Sequence, residues 1–250
     1  MIMDTKIIAT AVKGAAHEYN GIECQDFVYY EKHNGFSCIA LSDGAGSARL
    51  SHIGAEYTAK SAVKTMYMLC EKYKDGLFDH LDSIVSELFN TILGGIDKFV
   101  GNKADYACTL LVVCIYDDKY ICIHVGDGII ISINNNNAEI ISLPENGDSP
   151  NITYFITDDN YLNHIRVKHG QITPNMSFLL SSDGCSNKLY NPTDGSIAEA
   201  VLIMNSWLNE FDENNAEKLL LDNLVSVIKP MVTDDISIGL INVGQNSSII

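Results

Sequence analysis

Five aspartates stand where short apolar runs end or begin: Asp26 in CQDFVYY, Asp43 in IALSDGAGS, Asp127 in IHVGDGIII, Asp183 in FLLSSDGCSN and Asp234 in VTDDISIGLI. Taken one at a time, each reads as a turn residue, since Asp and Asp-Gly are common where strands reverse. Five of them in a chain with no matching basic motif carry a second meaning. Carboxylates gathered in one place repel one another unless a cation neutralises them. Oxygen donors without His or Cys companions suit hard ions such as Mg2+ or Mn2+. A glycine directly after the acid, as in Asp43-Gly44, frees a backbone carbonyl to turn toward the same ion. The chemistry on offer is a divalent-cation centre assembled from separated strand ends.

The elements that must bring these acids together are legible as periodicities. Apolar runs at 7–12, 27–31, 36–41, 109–116, 120–125, 128–133, 139–143, 178–182 and 236–242 read as strands. Asp117-Asp118 marks a tight hairpin, and the asparagines at 134–137 another. Helical spacing begins at Ser51, with Ala59, Ala62, Val63, Met66, Leu69 and Cys70 on one face, and recurs over 81–100, 197–211 and 216–228. Each helical stripe reads as core. Residues 144–171 are polar and weakly patterned, a flap over a site or an ordinary surface excursion. Strands, helices, strands, helices and a last strand predict an α+β fold with helix layers over antiparallel sheets.

Composition bounds the function. A chain of 250 residues with 46% hydrophobic and 19% charged residues is globular, and large enough for a substantial core. A formal net charge of −16 argues against a nucleic-acid partner, because phosphate backbones are held by Lys and Arg. No apolar run approaches the roughly 20 residues that span a bilayer, and the first 14 residues show no secretory pattern. The 7 cysteines are odd in number and scattered, without paired zinc spacing, as expected of small buried hydrophobes in a reducing compartment. A cytoplasmic protein without membrane contact is expected.

The acids fall in a known order. "CQD", "SDGAG", "ACTLLVV", "VGDG", "SSDG" and "TDDIS" resemble the successive signatures of the metal-dependent Ser/Thr protein phosphatases of type 2C. The resemblance runs from about Ile7 to Val243, and "HEYNGIECQD", "SDGAGSA" and "NITYFIT" look like its compact bacterial branch. It implies one domain over residues 1–250, a four-layer αββα sandwich with a central antiparallel β-sandwich flanked by helix pairs. It also implies two Mn2+ or Mg2+ ions and hydrolysis of phosphoserine or phosphothreonine by a hydroxide bridging them. On this resemblance Asp43 bridges the ions, Gly44 offers its carbonyl, and Asp183 and Asp234 ligate the second ion. Asp26 reaches metal-held water, and Asp127 marks a weaker third site. Asp235 takes the place of an asparagine in the family pattern. The implied partners are a phosphorylated protein and a cognate Ser/Thr kinase or its target.

Three departures stand out. Many members carry a phosphate-binding arginine before the first aspartate, and no Arg precedes Asp26 here. His17, Lys13 and Arg49 are the candidate substitutes. His17 contacts phosphate or protonates the leaving alkoxide if it lies near the ions; otherwise it is a structural histidine. Ala45 stands where eukaryotic members often place a histidine. Asn187 follows Asp183 where an acid often helps to hold the third ion. His52, His124, His164 and His169 show no ligand spacing. Two other readings stay open: a catalytically idle domain that binds a phosphoprotein or scaffolds a kinase, and a hydrolase of small phosphate esters.

Overall fold

The computed structural model describes residues 4–147 and 153–244. Its third strand, β3 (Phe36–Asp43), follows β1 (Thr5–Val12) and β2 (Asp26–His33) and is buried on both faces. Phe36, Cys38 and Ala40 join one core, while Ile39 and Leu41 join another. β4 (Leu110–Tyr116) divides in the same way, with Leu110, Val112 and Cys114 on one side and Leu111, Val113 and Ile115 on the other. Successive side chains of a strand point to opposite faces, so such strands lie between a helix layer and a second sheet.

The remaining strands are β5 (Lys119–Val125), β6 (Ile129–Asn134), β7 (Asn137–Ser142), β8 (Arg166–Gln171), β9 (Met176–Ser181) and β10 (Ile236–Val243). They form two five-stranded antiparallel sheets, ordered β2-β3-β4-β5-β8 and β1-β10-β9-β6-β7. Between the sheets lie Ile7, Ile39, Leu41, Phe178, Leu180 and Ile241. Outside the first sheet pack α2 (Ser51–Lys72) and α3 (Leu81–Ile96), through Ala59, Val63, Met66, Leu88 and Ile92. Outside the second pack α5 (Glu199–Glu210) and α6 (Glu213–Asn223), through Val201, Met204, Leu208, Ala216 and Leu220. The result is the expected four-layer αββα sandwich.

Local differences from the sequence reading have local causes. α3 stops at Ile96 and not near Val100, which is exposed; the Gly94-Gly95 pair weakens the helix end. A short helix, α1 (Ala15–Asn20), escapes the pattern because none of its residues is buried. The Asp183-Gly184 pair, expected as a turn, opens a helix, α4 (Asp183–Leu189), where an acid suits the helix N-terminus. The span 216–228 is α6 continued by a π-helical turn, Leu224–Ile228. Part of the stretch read as a flap, residues 148–152, lies outside the described residues and includes Asn151 and Ile152 of "NITYFIT". Its far end is β8, an edge strand held by pairing with β5 instead of by a buried face.

Candidate metal centre

Antiparallel pairing of β2 with β3 sets Asp26 directly beside Asp43. Asp43 ends β3 against β4: its N–H donates to Thr109 Oγ1 at 3.0 Å, and its carbonyl accepts from the Thr109 N–H at 2.8 Å. In the facing sheet, β9 delivers Asp183 to the first turn of α4, and the turn before β10 delivers Asp234. Asp127 sits between β5 and β6, strands that belong to different sheets. Gly184 is required by proximity, since a Cβ there would lie 1.9 Å from the Asp235 carbonyl oxygen.

These strand ends meet. Asp43, Asp127 and Asp183 each offer a carboxylate oxygen within 4.8 Å of the others. They open into a cavity of about 530 Å3 that Asp234, Gly44, Thr109, Gln25 and His17 also line. Among the described residues no lysine or arginine lines it. Asp26 is buried behind Asp43, and its Oδ2 has no hydrogen-bond partner among the described residues. Lys13 points to Glu23 at 3.8 Å and Arg49 to Asp105 at 3.5 Å, and neither lines the cavity. Of the three cations considered for phosphate, the structure brings only His17 to the acids.

The electrostatics are those of a cation site. Burial, then the charges of Asp26, Asp183 and Asp127, push the Asp43 carboxyl well above the ordinary carboxylate range. Burial raises Asp26 to about 7, against the hydroxyls of Ser182 and Ser237, with Asp235 and Asp183 adding to the rise. Asp127 is pushed up to about 6 by burial and by Asp183, although the Thr153 hydroxyl donates to it. Asp183 is raised by burial and by Asp234, while its contact with Asp43 acts in the opposite sense. Protons or a divalent ion must offset this clustered charge, and the all-oxygen donor set fits Mg2+ or Mn2+.

Several participants carry no sequence signal. Thr109 lies inside a quoted motif, yet nothing marks its hydroxyl as the acceptor for the Asp43 N–H. Thr153 comes from the weakly patterned stretch. Arg166 in β8 donates to the Gly126 carbonyl and the Leu143 carbonyl, bracing the chain on either side of the β6–β7 hairpin. His124 is buried with Nδ1 2.8 Å from Ser142 Oγ, in keeping with a structural role.

A family model described as protein phosphatase 2C matches residues 13–224. The serine/threonine-protein phosphatase 3 of Escherichia coli (strain K12) is 22% identical over 199 residues, covering 77% of this chain and 74% of that one. Among solved structures, the S. agalactiae serine/threonine phosphatase aligns with a TM-score of 0.65 and 17% identity, over 96% of this chain and 100% of that one. The catalytic domain of the serine/threonine protein phosphatase PstP, in complex with two manganese ions, aligns with a TM-score of 0.60. It is 14% identical, over 98% of this chain and 100% of that domain. At these identities the two structures establish the fold.

Proposed function

The chain belongs to the protein phosphatase 2C family and is a metal-dependent protein phosphatase; from that premise we propose that Asp43, Asp127, Asp183 and Asp234 form its metal centre and that its substrates are phosphoserine and phosphothreonine side chains. The observation that carries this reading is the convergence of Asp43, Asp127 and Asp183 to within 4.8 Å from three separate parts of the sequence. Gly44 lies beside Asp43 in the cavity wall, and we assign its carbonyl to one of the ions. Asp26 adds negative charge from behind and strengthens the pull on a cation. We assign two Mn2+ or Mg2+ ions to this set, with a third held weakly because Asn187 is not an acid. Divalent ions held here supply an acidified water and offset charge on the phosphoryl oxygens. The residues of the chain supply the rest: the carboxylates fix where cations sit, and the cavity admits an exposed phosphorylated side chain.

Seven free cysteines, six of them buried, support a reducing, cytoplasmic setting for one domain over residues 1–250. No helix among the described residues is long and apolar enough to cross a membrane. The partner is a phosphorylated protein, which we place in the signalling of a cognate kinase. The test is hydrolysis of p-nitrophenyl phosphate and of a phosphothreonine peptide with Mn2+, Mg2+ or EDTA. Turnover of both with either ion, lost in EDTA, is expected. Silence with every ion would support an idle binding domain, and activity on the small ester alone would support a small-ester hydrolase.

A further inference from the structure

Asp235, the neighbour of Asp234, is 2% exposed and stands apart from the cavity-lining acids. Its carboxylate accepts the Gly14 N–H at Oδ1, 2.7 Å, and the Gln25 N–H at Oδ2, 2.6 Å. Oδ2 also lies 2.9 Å from His17 Nδ1, an ion-pair contact without the alignment of a hydrogen bond. Further contacts clamp α1 to the same turn. The Ala16 N–H donates to the Thr233 carbonyl at 3.0 Å. Gly14 lies so close that a Cβ there would come within 2.3 Å of the Asp234 carbonyl group.

The clamp matters because the other side-chain tie of α1 to the body among the described residues is an ion pair between Glu18 and Lys229, which leaves the His17 side of the helix to this turn. A helix of six residues that buries none of its side chains does not hold its position by propensity or packing. What fixes His17 at the cavity is therefore the turn before β10, and above all Asp235. A carboxylate packed against one ring nitrogen holds that edge of an imidazole by charge and contact and leaves the other nitrogen for chemistry. With Nδ1 turned to Asp235, Nε2 lies on the opposite edge of a ring that lines the cavity with Asp43, Asp127, Asp183 and Asp234.

We propose that Asp235 is a positioning residue that holds His17 as the proton donor to the leaving oxygen of the phosphoester, an inference that rests on the phosphatase reading above. In the step, a water-derived oxygen forms the new bond to phosphorus and releases its proton to solvent. The bond from phosphorus to the leaving oxygen breaks, and its electron pair stays on that oxygen. The oxygen takes the proton from His17 Nε2, and the imidazole is reprotonated from solvent. Serine and threonine alkoxides are strongly basic and need that proton, whereas p-nitrophenolate leaves without it.

The test compares kcat on a phosphothreonine peptide and on p-nitrophenyl phosphate, with Mn2+ affinity measured by calorimetry. His17→Gln and Asp235→Asn are each expected to lose on the order of 100-fold on the peptide but less than about 5-fold on the aryl ester. Mn2+ affinity stays within about 3-fold of the wild type, and Asp235→Asn adds no further loss in a His17→Gln background. Equal losses on both substrates, an unimpaired His17→Gln on the peptide, or additive losses in the double variant would overturn the proposal. If Asp235→Asn fails to fold, the substrate dependence of His17→Gln decides alone. A wild-type protein silent on both substrates with either ion is a different result, and it would remove the phosphatase reading and this inference together.

Discussion

Asp43→Asn lowers kcat on a phosphothreonine peptide by roughly 10^3-fold or more and, in the metal-free protein, raises the melting temperature at pH 8. The loss follows from position, since Asp43 offers a carboxylate oxygen within 4.8 Å of those of both Asp127 and Asp183. The gain follows from repulsion. Asp43, Asp26 and Asp127 all have carboxyls raised above the ordinary value of 3.8, to about 7 for Asp26 and about 6 for Asp127. Between those limits the folded chain binds more protons than the unfolded chain, so stability falls as pH rises from about 4 to about 7. Above that window Asp26 and Asp127 are charged, and a neutral amide in place of the buried Asp43 carboxyl removes an acid that its neighbours disfavour; at pH 5 Asp26 and Asp127 are largely protonated and the gain shrinks. Thermal unfolding in EDTA at pH 5 and pH 8 reads this directly. A variant less stable than the wild type at pH 8, or one that retains turnover, would contradict the placement of Asp43 at the heart of the cluster.

Gly184→Ala is expected to disable the site from the backbone side. An alanine Cβ would sit 1.9 Å from the Asp235 carbonyl oxygen and 3.7 Å from the Asp234 Cβ, so α4 and the turn before β10 must part. The obstructing atom is backbone and cannot rotate away. Forcing a methyl group into such a contact costs about 1–3 kcal/mol, or roughly 2–12 °C in melting temperature for a chain of this size. The same displacement separates Asp183 from Asp234, and Mn2+ affinity is expected to fall at least about 10-fold. An alanine variant with unchanged melting temperature and Mn2+ affinity would show that the two segments do not approach as described.

Much of this was legible because burial writes itself into period. β3 and β4 alternate between two cores, and their sequences read as largely apolar runs for that reason. The helices α2 and α3 carry stripes because each has one buried face. Where stability comes from hydrogen bonds or tertiary clamps, the sequence is silent. β8 pairs along an edge with polar residues, and α1 is held by contacts from residues more than 200 positions away. The candidate site divides along the same line. Its acids announce themselves at strand ends, yet the sheet register that puts Asp26 beside Asp43 appears only in the fold. Asp235 illustrates the limit. In sequence it is a substitute for an asparagine, and in space it binds Gly14, Gln25 and His17 together.

Anomalous diffraction from crystals grown with Mn2+ locates the ions without reference to turnover. Peaks in contact with the carboxylates of Asp43, Asp183 and Asp234, with a weaker one at Asp127, are the expected result. Peaks elsewhere on the surface, or none at saturating Mn2+, would show that these aspartates do not form a metal centre.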